Sequence, residues 1–209
     1  MKKRIIITSI VCAAALICSG VAAWCNNDKQ SCKWEGKYKV CTFAPLSEKK
    51  LSAGKNLVQG VVLHHTACQS SKQALDKLYF DTSSTVICHV LIDRDGTRYV
   101  LASPKERTHH AGYSRLNGKD WCNNFTIGIE FQSVDTHVQP LTDKQIDSAI
   151  DYLIPIMKKY KIPVKNIVTH EQVRNEWLKM HPNSNAPTKV DIVPEDHQRF
   201  MAALKKRYH

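Results

Sequence analysis

Residues 57–67, LVQGVVLHHTA, constrain this chain more than any other stretch. A valine-rich run without proline suits a buried strand. Side chains alternate along a strand, so His64 and His65 point to opposite faces and only one of them can join a given cluster. His64 is the one read as delivered to a site, while His65 is expected to pack or bond on the other side of the sheet.

Strands and helices alternate around this run. Residues 70–80 read as a helix with Ala74, Leu75 and Leu78 on one side and Ser70 or Ser71 as its cap. Residues 85–92 read as a strand, 93–96 as a turn and 97–101 as the returning strand of a hairpin. Residues 125–131 give a further strand, with Gly128 and Glu130 on one face and Ile127 and Ile129 on the other.

Thr142 and Gln145 make a capping box. It opens a helix in which Ile146, Ala149, Ile150, Leu153, Ile154 and Met157 fall at core-facing spacing. Pro155 is expected to bend it. Residues 164–170 read as a short strand, 171–188 only as an insert, and 194–208 as a final amphipathic helix with Pro194 in its first turn. The pattern is that of an α/β fold, a mixed central β-sheet with helices packed on its faces.

Residues 1–23 carry Lys2, Lys3 and Arg4, then an apolar run, then small residues ending at Ala23. That is the pattern of a secretory signal cleaved after Ala23. The apolar run is shorter than the roughly 20 residues a spanning helix needs, so no stable membrane anchor is expected after cleavage. Loss of the three cations lowers the formal charge from +11 to +8. A basic exported protein suits an anionic polymer. Nucleic acid is not expected as a partner, because no recognition motif accompanies the charge, which is spread along the chain. Six cysteines remain after cleavage: Cys25, Cys32, Cys41, Cys68, Cys88 and Cys122. An even set in an exported chain implies disulfides and no free thiol. Residues 24–56 are read as a cysteine-containing N-terminal segment and 57–209 as one domain, expected to be monomeric.

Partners for His64 lie more than a hundred residues downstream, where IVTH ends at His170 and KVD spans 189–191. Two histidines and an aspartate can hold one zinc ion and leave a fourth position for water. Each residue also has a plainer reading. Either histidine can be a hydrogen-bonded structural residue, Asp191 can cap the helix that follows, Lys189 can be a surface lysine and Glu130 an ion-pair partner. An acid flanked by apolar residues on a strand is nevertheless unusual. Cys88 and His89 are neighbours on a strand and face opposite ways, which argues against a thiolate–imidazole pair.

VVLHHTA, CHVLIDRDG at 88–96, HHAG at 109–112, NNFTIGIEF at 123–131, VTHEQV at 168–173 and KVD occur in an order that resembles the zinc-dependent N-acetylmuramoyl-L-alanine amidases, a group that includes peptidoglycan recognition proteins. The resemblance implies zinc held by His64, His170 and Asp191. It makes Glu130 the general base and Lys189 the stabiliser of the developing oxyanion. His89 and His110 become residues that contact substrate. It implies hydrolysis, outside the cytoplasm, of the amide joining muramic acid to L-alanine in peptidoglycan. The alternative it leaves is a recognition protein that binds muropeptide without cutting it.

Overall fold

The computed structural model describes residues 30–43, 46, 50–188 and 191–208. The expected signal segment, Cys25 and Lys189 lie outside the described residues. The strands are β1 (Gln30–Glu35), β2 (Tyr38–Phe43), β3 (Leu51–Lys55), β4 (Gly60–His65), β5 (Val90–Ile92), β6 (Arg98–Val100), β7 (Glu106–Thr108), β8 (Arg115–Leu116), β9 (Lys119–Asp120), β10 (Thr126–Phe131) and β11 (Ile167–Thr169). The α-helices are α1 (Ser71–Leu75), α2 (Asp143–Tyr160), α3 (His170–Met180) and α4 (Pro194–Arg207).

Seven strands form one mixed sheet in the order β1-β2-β6-β5-β10-β4-β11. The four strands from β5 to β11 run parallel. The β5–β6 hairpin is antiparallel. β2 lies parallel to β6 and antiparallel to β1. The α/β architecture expected from the pattern is the one observed. The β1–β2 hairpin is hydrogen-bonded into the main sheet, and Cys32 and Cys41 stand directly opposite each other and are bridged.

Alternation along the central strands sorts the two faces. Val61, Leu63, Ile127, Ile129 and Phe131 join residues of α2 and α4, among them Ile150, Leu153, Met157, Phe200 and Leu204, in the largest core cluster. Each such fully buried side chain stabilises the fold by ~1.5–3 kcal/mol. Val62 faces the other way, against Ala111, Phe125 and Val173 of α3. Along α2, Ile156 is buried and Ile154 only half-buried, and the helix continues past Pro155 to Tyr160. The capping box of Thr142 and Gln145 is formed.

Several elements differ from the sequence reading. Ser70 caps α1 as expected, but the helix widens into a π-helical stretch over Asp76–Phe80. Regular strand pairing in 85–92 is confined to Val90–Ile92, because Val86 makes only an isolated bridge with His109. The strand expected over 164–170 is a 3-10 turn, Val164–Asn166, followed by β11. The supposed insert at 171–188 holds most of α3.

The expectation that no thiol is free does not hold. Cys68, Cys88 and Cys122 are free and buried. Cys68 and Cys88 pack in the cluster with Leu75, Leu78 and Leu91, and Cys122 packs with Ala111 and Phe125, so all three serve as small apolar core residues. Burial pushes the Cys88 thiol well above its ordinary pKa and that of Cys122 up to about 12.

Candidate metal centre

The C-terminal ends of β4, β10 and β11 bring the candidate residues together. His64 is the penultimate residue of β4, and Glu130, the penultimate residue of β10, is paired with it in register. His170 follows β11 directly as the first residue of α3. Ligand sites in open α/β sheets lie at this end of the strands. His64, His170 and Asp191 offer donor atoms that all lie within 4.8 Å of one another.

Each donor is aimed by a partner behind it. The Nε2 of His170 lies 3.0 Å from the Ala111 carbonyl oxygen, to which it donates, and this leaves the Nδ1 lone pair facing the cluster. His64 is oriented by a longer chain. Its Nε2 is 3.1 Å from Nδ1 of His110, the His110 Nε2 is 3.3 Å from the Thr126 hydroxyl, and that hydroxyl donates to the Cys122 carbonyl. Because Thr126 donates onward, one consistent run of protons has His110 donating to Thr126 and accepting from His64. The His64 Nδ1 is then an unprotonated donor. Burial, reinforced by the nearby His89 and His170, holds His110 far below the usual imidazole pKa and therefore neutral, as this run requires.

Asp191 completes the set. Its Oδ2 lies 3.0 Å from the His170 Nδ1 and 3.9 Å from the His64 Nδ1. It is nonetheless a buried oxygen with no hydrogen-bond partner among the described residues, since the His170 contact lacks hydrogen-bond geometry. Two imidazole lone pairs and a carboxylate oxygen converging in a buried place make a set of acceptors that a cation satisfies. Such separations suit an ion with bonds of ~2.0–2.2 Å to nitrogen and oxygen, and the donor types suit zinc. Asp191 is braced through its backbone, whose carbonyl accepts from the Thr136 hydroxyl at 2.8 Å, and the Thr136 hydroxyl oxygen in turn accepts from Val193 N–H. It does not cap α4, where the N-cap is Val193 without a side-chain bond.

A cleft of about 540 Å³ opens over this cluster, lined by His64, His110, Glu130, His170 and Asp191 on one wall and by Ala74, Lys77, Leu78 and Asp81 on another. His65, the last residue of β4, also borders the cleft. At the last residue of β4 the chain leaves the sheet, and the Ala67 N–H donates to the His65 Nδ1 across a turn in which Ala67 has φ +49°.

His89 is brought close but not into the cleft. It is wholly buried, its Nδ1 accepts the Gly128 N–H at 2.9 Å, and its Nε2 sits 3.0 Å from the Glu106 carbonyl oxygen. It ties β10 to the 106–108 strand. Burial lowers its pKa to about 4. Gly128 is the complement of His110. A Cβ there would fall 2.5 Å from the His110 Cγ, so only glycine leaves room for the ring.

Sequence reasoning missed Thr169 and Gln172. Their reciprocal capping box starts α3 and fixes the position of His170. The signal was legible as T-H-E-Q with Val173 and Trp177 one turn apart.

Comparison with known proteins agrees with this geometry. The family profile described as N-acetylmuramoyl-L-alanine amidase matches residues 54–185. The 1,6-anhydro-N-acetylmuramyl-L-alanine amidase AmpD of Haemophilus influenzae is 42% identical over 86 residues, covering 41% of this chain and 46% of that protein. The Escherichia coli AmpD is 34% identical over 85 residues, 41% of this chain and 45% of that protein. The chain thus spans about half the length of the curated relatives it matches. Among solved structures, a selenomethionine derivative of AmpD superposes with a TM-score of 0.56 at 21% identity, over 82% of this chain and 96% of that one. The E. coli amidase AmiD, solved with the substrate anhydro-N-acetylmuramic acid-L-Ala-D-gamma-Glu-L-Lys, gives 0.51 at 24% identity over 60% and 52%. At these identities the two structures speak for the fold. The profile match ends before Asp191, so its place as candidate third donor rests on the structure alone. A profile covering more than half of the sequence, together with the sheet that carries the site, means that this chain belongs to the N-acetylmuramoyl-L-alanine amidase family.

Proposed function

We propose that the chain is a zinc-dependent N-acetylmuramoyl-L-alanine amidase that hydrolyses the amide between the lactyl group of muramic acid and L-alanine of peptidoglycan. The observation that carries this reading is the convergence of His64, His170 and the orphaned Asp191 carboxylate oxygen in a cleft that Glu130 also lines. The chemistry zinc supplies in such a set is polarisation of a carbonyl and acidification of water.

The chain's own residues do the rest. Glu130 takes the proton of the attacking water and returns it to the amide nitrogen, which leaves poorly as an anion. His110, Thr126 and the Ala111 carbonyl hold both imidazoles in the required tautomer and orientation. Lys189, two residues before Asp191, is assigned to the developing oxyanion. Residues 1–23 are assigned to export, which places the reaction in the periplasm or outside the cell on an anionic wall that suits a basic protein.

The test is digestion of purified sacculi by the zinc-loaded protein, with the released ends identified by mass spectrometry. Free peptides beginning with L-alanine are expected. Muropeptide binding with no such release would replace this reading by that of a recognition protein. N-terminal sequencing of secreted protein should begin at Trp24.

A further inference from the structure

The β1–β2 hairpin lies outside the residues that the family profile matches. It is firmly built all the same. Cys32 and Cys41 bridge its strands, and β2 is hydrogen-bonded to β6 of the main sheet. Two residues along β1 from the bridge, and therefore on the same face, Trp34 stands opposite Lys39 and is 73% exposed. A single exposed apolar residue needs no explanation by itself. Trp34, however, borders a cavity of about 440 Å³ that the hairpin shares with the β5–β6 turn and the start of α2.

Three carboxylates line this cavity, and each is already engaged. Asp143 is paired with Arg199, Asp147 with Lys37 and Arg207, and Asp95 accepts the Thr97 N–H. Lys39 and Lys144 are exposed, and their ammonium groups make no ion pair or hydrogen bond with a described residue. Cations are therefore in excess here. Lys144 also sits in the first turn of α2, where the positive end of the helix dipole disfavours a cation, so the helix gains nothing from its charge.

The register of the sheet sets this cavity on the same rim as the cleft. Val40, Arg98, Ile92, Phe131 and His65 stand in one row across β2, β6, β5, β10 and β4. β2 runs antiparallel to β4, so Lys39 and Trp34 lie one residue beyond that row on the side where β4 ends and the cleft opens. Four to five strand spacings of ~4.8 Å separate them from His65, about 19–24 Å.

We propose that the tip of this hairpin binds a second stretch of the wall polymer whose amide the cleft cuts, with a saccharide ring against Trp34 and stem-peptide carboxylates at Lys39 and Lys144. This rests on the amidase reading, which makes the polymer peptidoglycan. An indole offers an apolar face to a sugar ring, and two unpaired ammonium groups complement an acidic peptide. A site on the same rim lets one polymer engage both places. Such tethering raises the effective concentration of the cleft at the polymer without any new contact to the bond being cut.

Binding and cutting are read separately. Sedimentation of the zinc-loaded full chain, slowed by Glu130→Gln, with phosphate-free sacculi reads the first. The kcat/KM on muramyl dipeptide with native Glu130 reads the second, since the two amino acids of that substrate reach at most ~7 Å. Trp34→Ala should weaken binding to sacculi at least about fivefold and leave muramyl dipeptide hydrolysis unchanged. Trp34→Tyr should restore most of the binding. Lys39→Gln combined with Lys144→Gln should weaken it and flatten its dependence on salt. Parental binding by Trp34→Ala, or an equal fall on both readouts, overturns the proposal and leaves the amidase reading intact. A dimer in sedimentation velocity that Trp34→Ala dissociates also overturns it, and makes the tip a contact between two copies of the chain. A parent that holds sacculi through Trp34 but releases no L-alanine-terminated peptide from sacculi or muramyl dipeptide overturns the amidase reading and keeps the hairpin site.

Discussion

One methyl group at position 128 tests the bracing of the candidate metal centre. A Cβ on Gly128 would lie 2.5 Å from His110 Cγ, 2.7 Å from its Nδ1 and 2.9 Å from its Cβ, against an optimal carbon contact of ~3.5–4.0 Å. The strand cannot easily yield. The Gly128 N–H donates to the His89 Nδ1 at 2.9 Å and its carbonyl accepts the His89 N–H at 3.0 Å. The His110 ring must therefore move by on the order of 1 Å to regain that separation. Overpacking a filled interior costs ~1–3 kcal/mol. At ~2–4 °C per kcal/mol for a chain of this size, Gly128→Ala should melt roughly 2–12 °C lower. Displacing His110 also removes the partner that orients His64, a loss worth ~10–100-fold in metal affinity. Calorimetry of metal-free protein reads the first effect, and zinc competition against a chromogenic chelator reads the second. Adding His110→Ala to Gly128→Ala should recover most of the melting temperature and none of the zinc affinity. A Gly128→Ala protein that melts and binds zinc like the parent would refute the reasoning.

Other outcomes follow from the same geometry. Glu130→Gln should keep stoichiometric zinc and lose at least ~100-fold in turnover; near-parental turnover would make Glu130 a structural carboxylate. His64→Ala and His170→Ala should each abolish zinc retention on a desalting column, and full retention in either would remove that residue from the centre. His89 has a folded pKa of about 4 against 6.5 unfolded, so the unfolded chain binds the extra proton between these values. Its contribution is fully present above pH 6.5 and is lost as pH falls, by about 3 kcal/mol in all at ~1.4 kcal/mol per unit. Urea melts from pH 7.5 to 4.5 should show that slope, and His89→Gln should flatten it. Thiol titration should find Cys68, Cys88 and Cys122 unreactive in the native protein and at least these three reactive after unfolding without reductant; fewer would contradict their free state.

The sequence made the parallel centre of the fold legible because burial on both faces leaves a strong imprint. β4 and β10 carry apolar residues on one side and Gly128, Glu130 and His64 on the other, and the structure keeps that division. The candidate donors that the structure brings together were legible as two histidines at strand ends and the aspartate that closes KVD. What could not be read was set by tertiary packing. α3 buries only His170, Val173 and Trp177, too narrow a stripe to announce a helix by periodicity, so that its capping box was the one legible sign of it. The cysteines misled through compartment arithmetic. A small apolar side chain in a core looks in sequence like half of a bridge, and only packing against Leu75, Leu91 or Phe125 distinguishes the two.

The three donors come from the end of β4, the first turn of α3 and the residue at 191, so each loop that closes the centre spans a different part of the chain. Such distant closures come late in folding, because the entropy of joining them is lost before their contacts compensate it. A nascent chain shorter than 191 residues carries two candidate donors at most, and the third is held only once its backbone carbonyl accepts from the Thr136 hydroxyl. The candidate centre is thus completed only when the part of the chain around residue 191 has joined the sheet that carries His64 and His170.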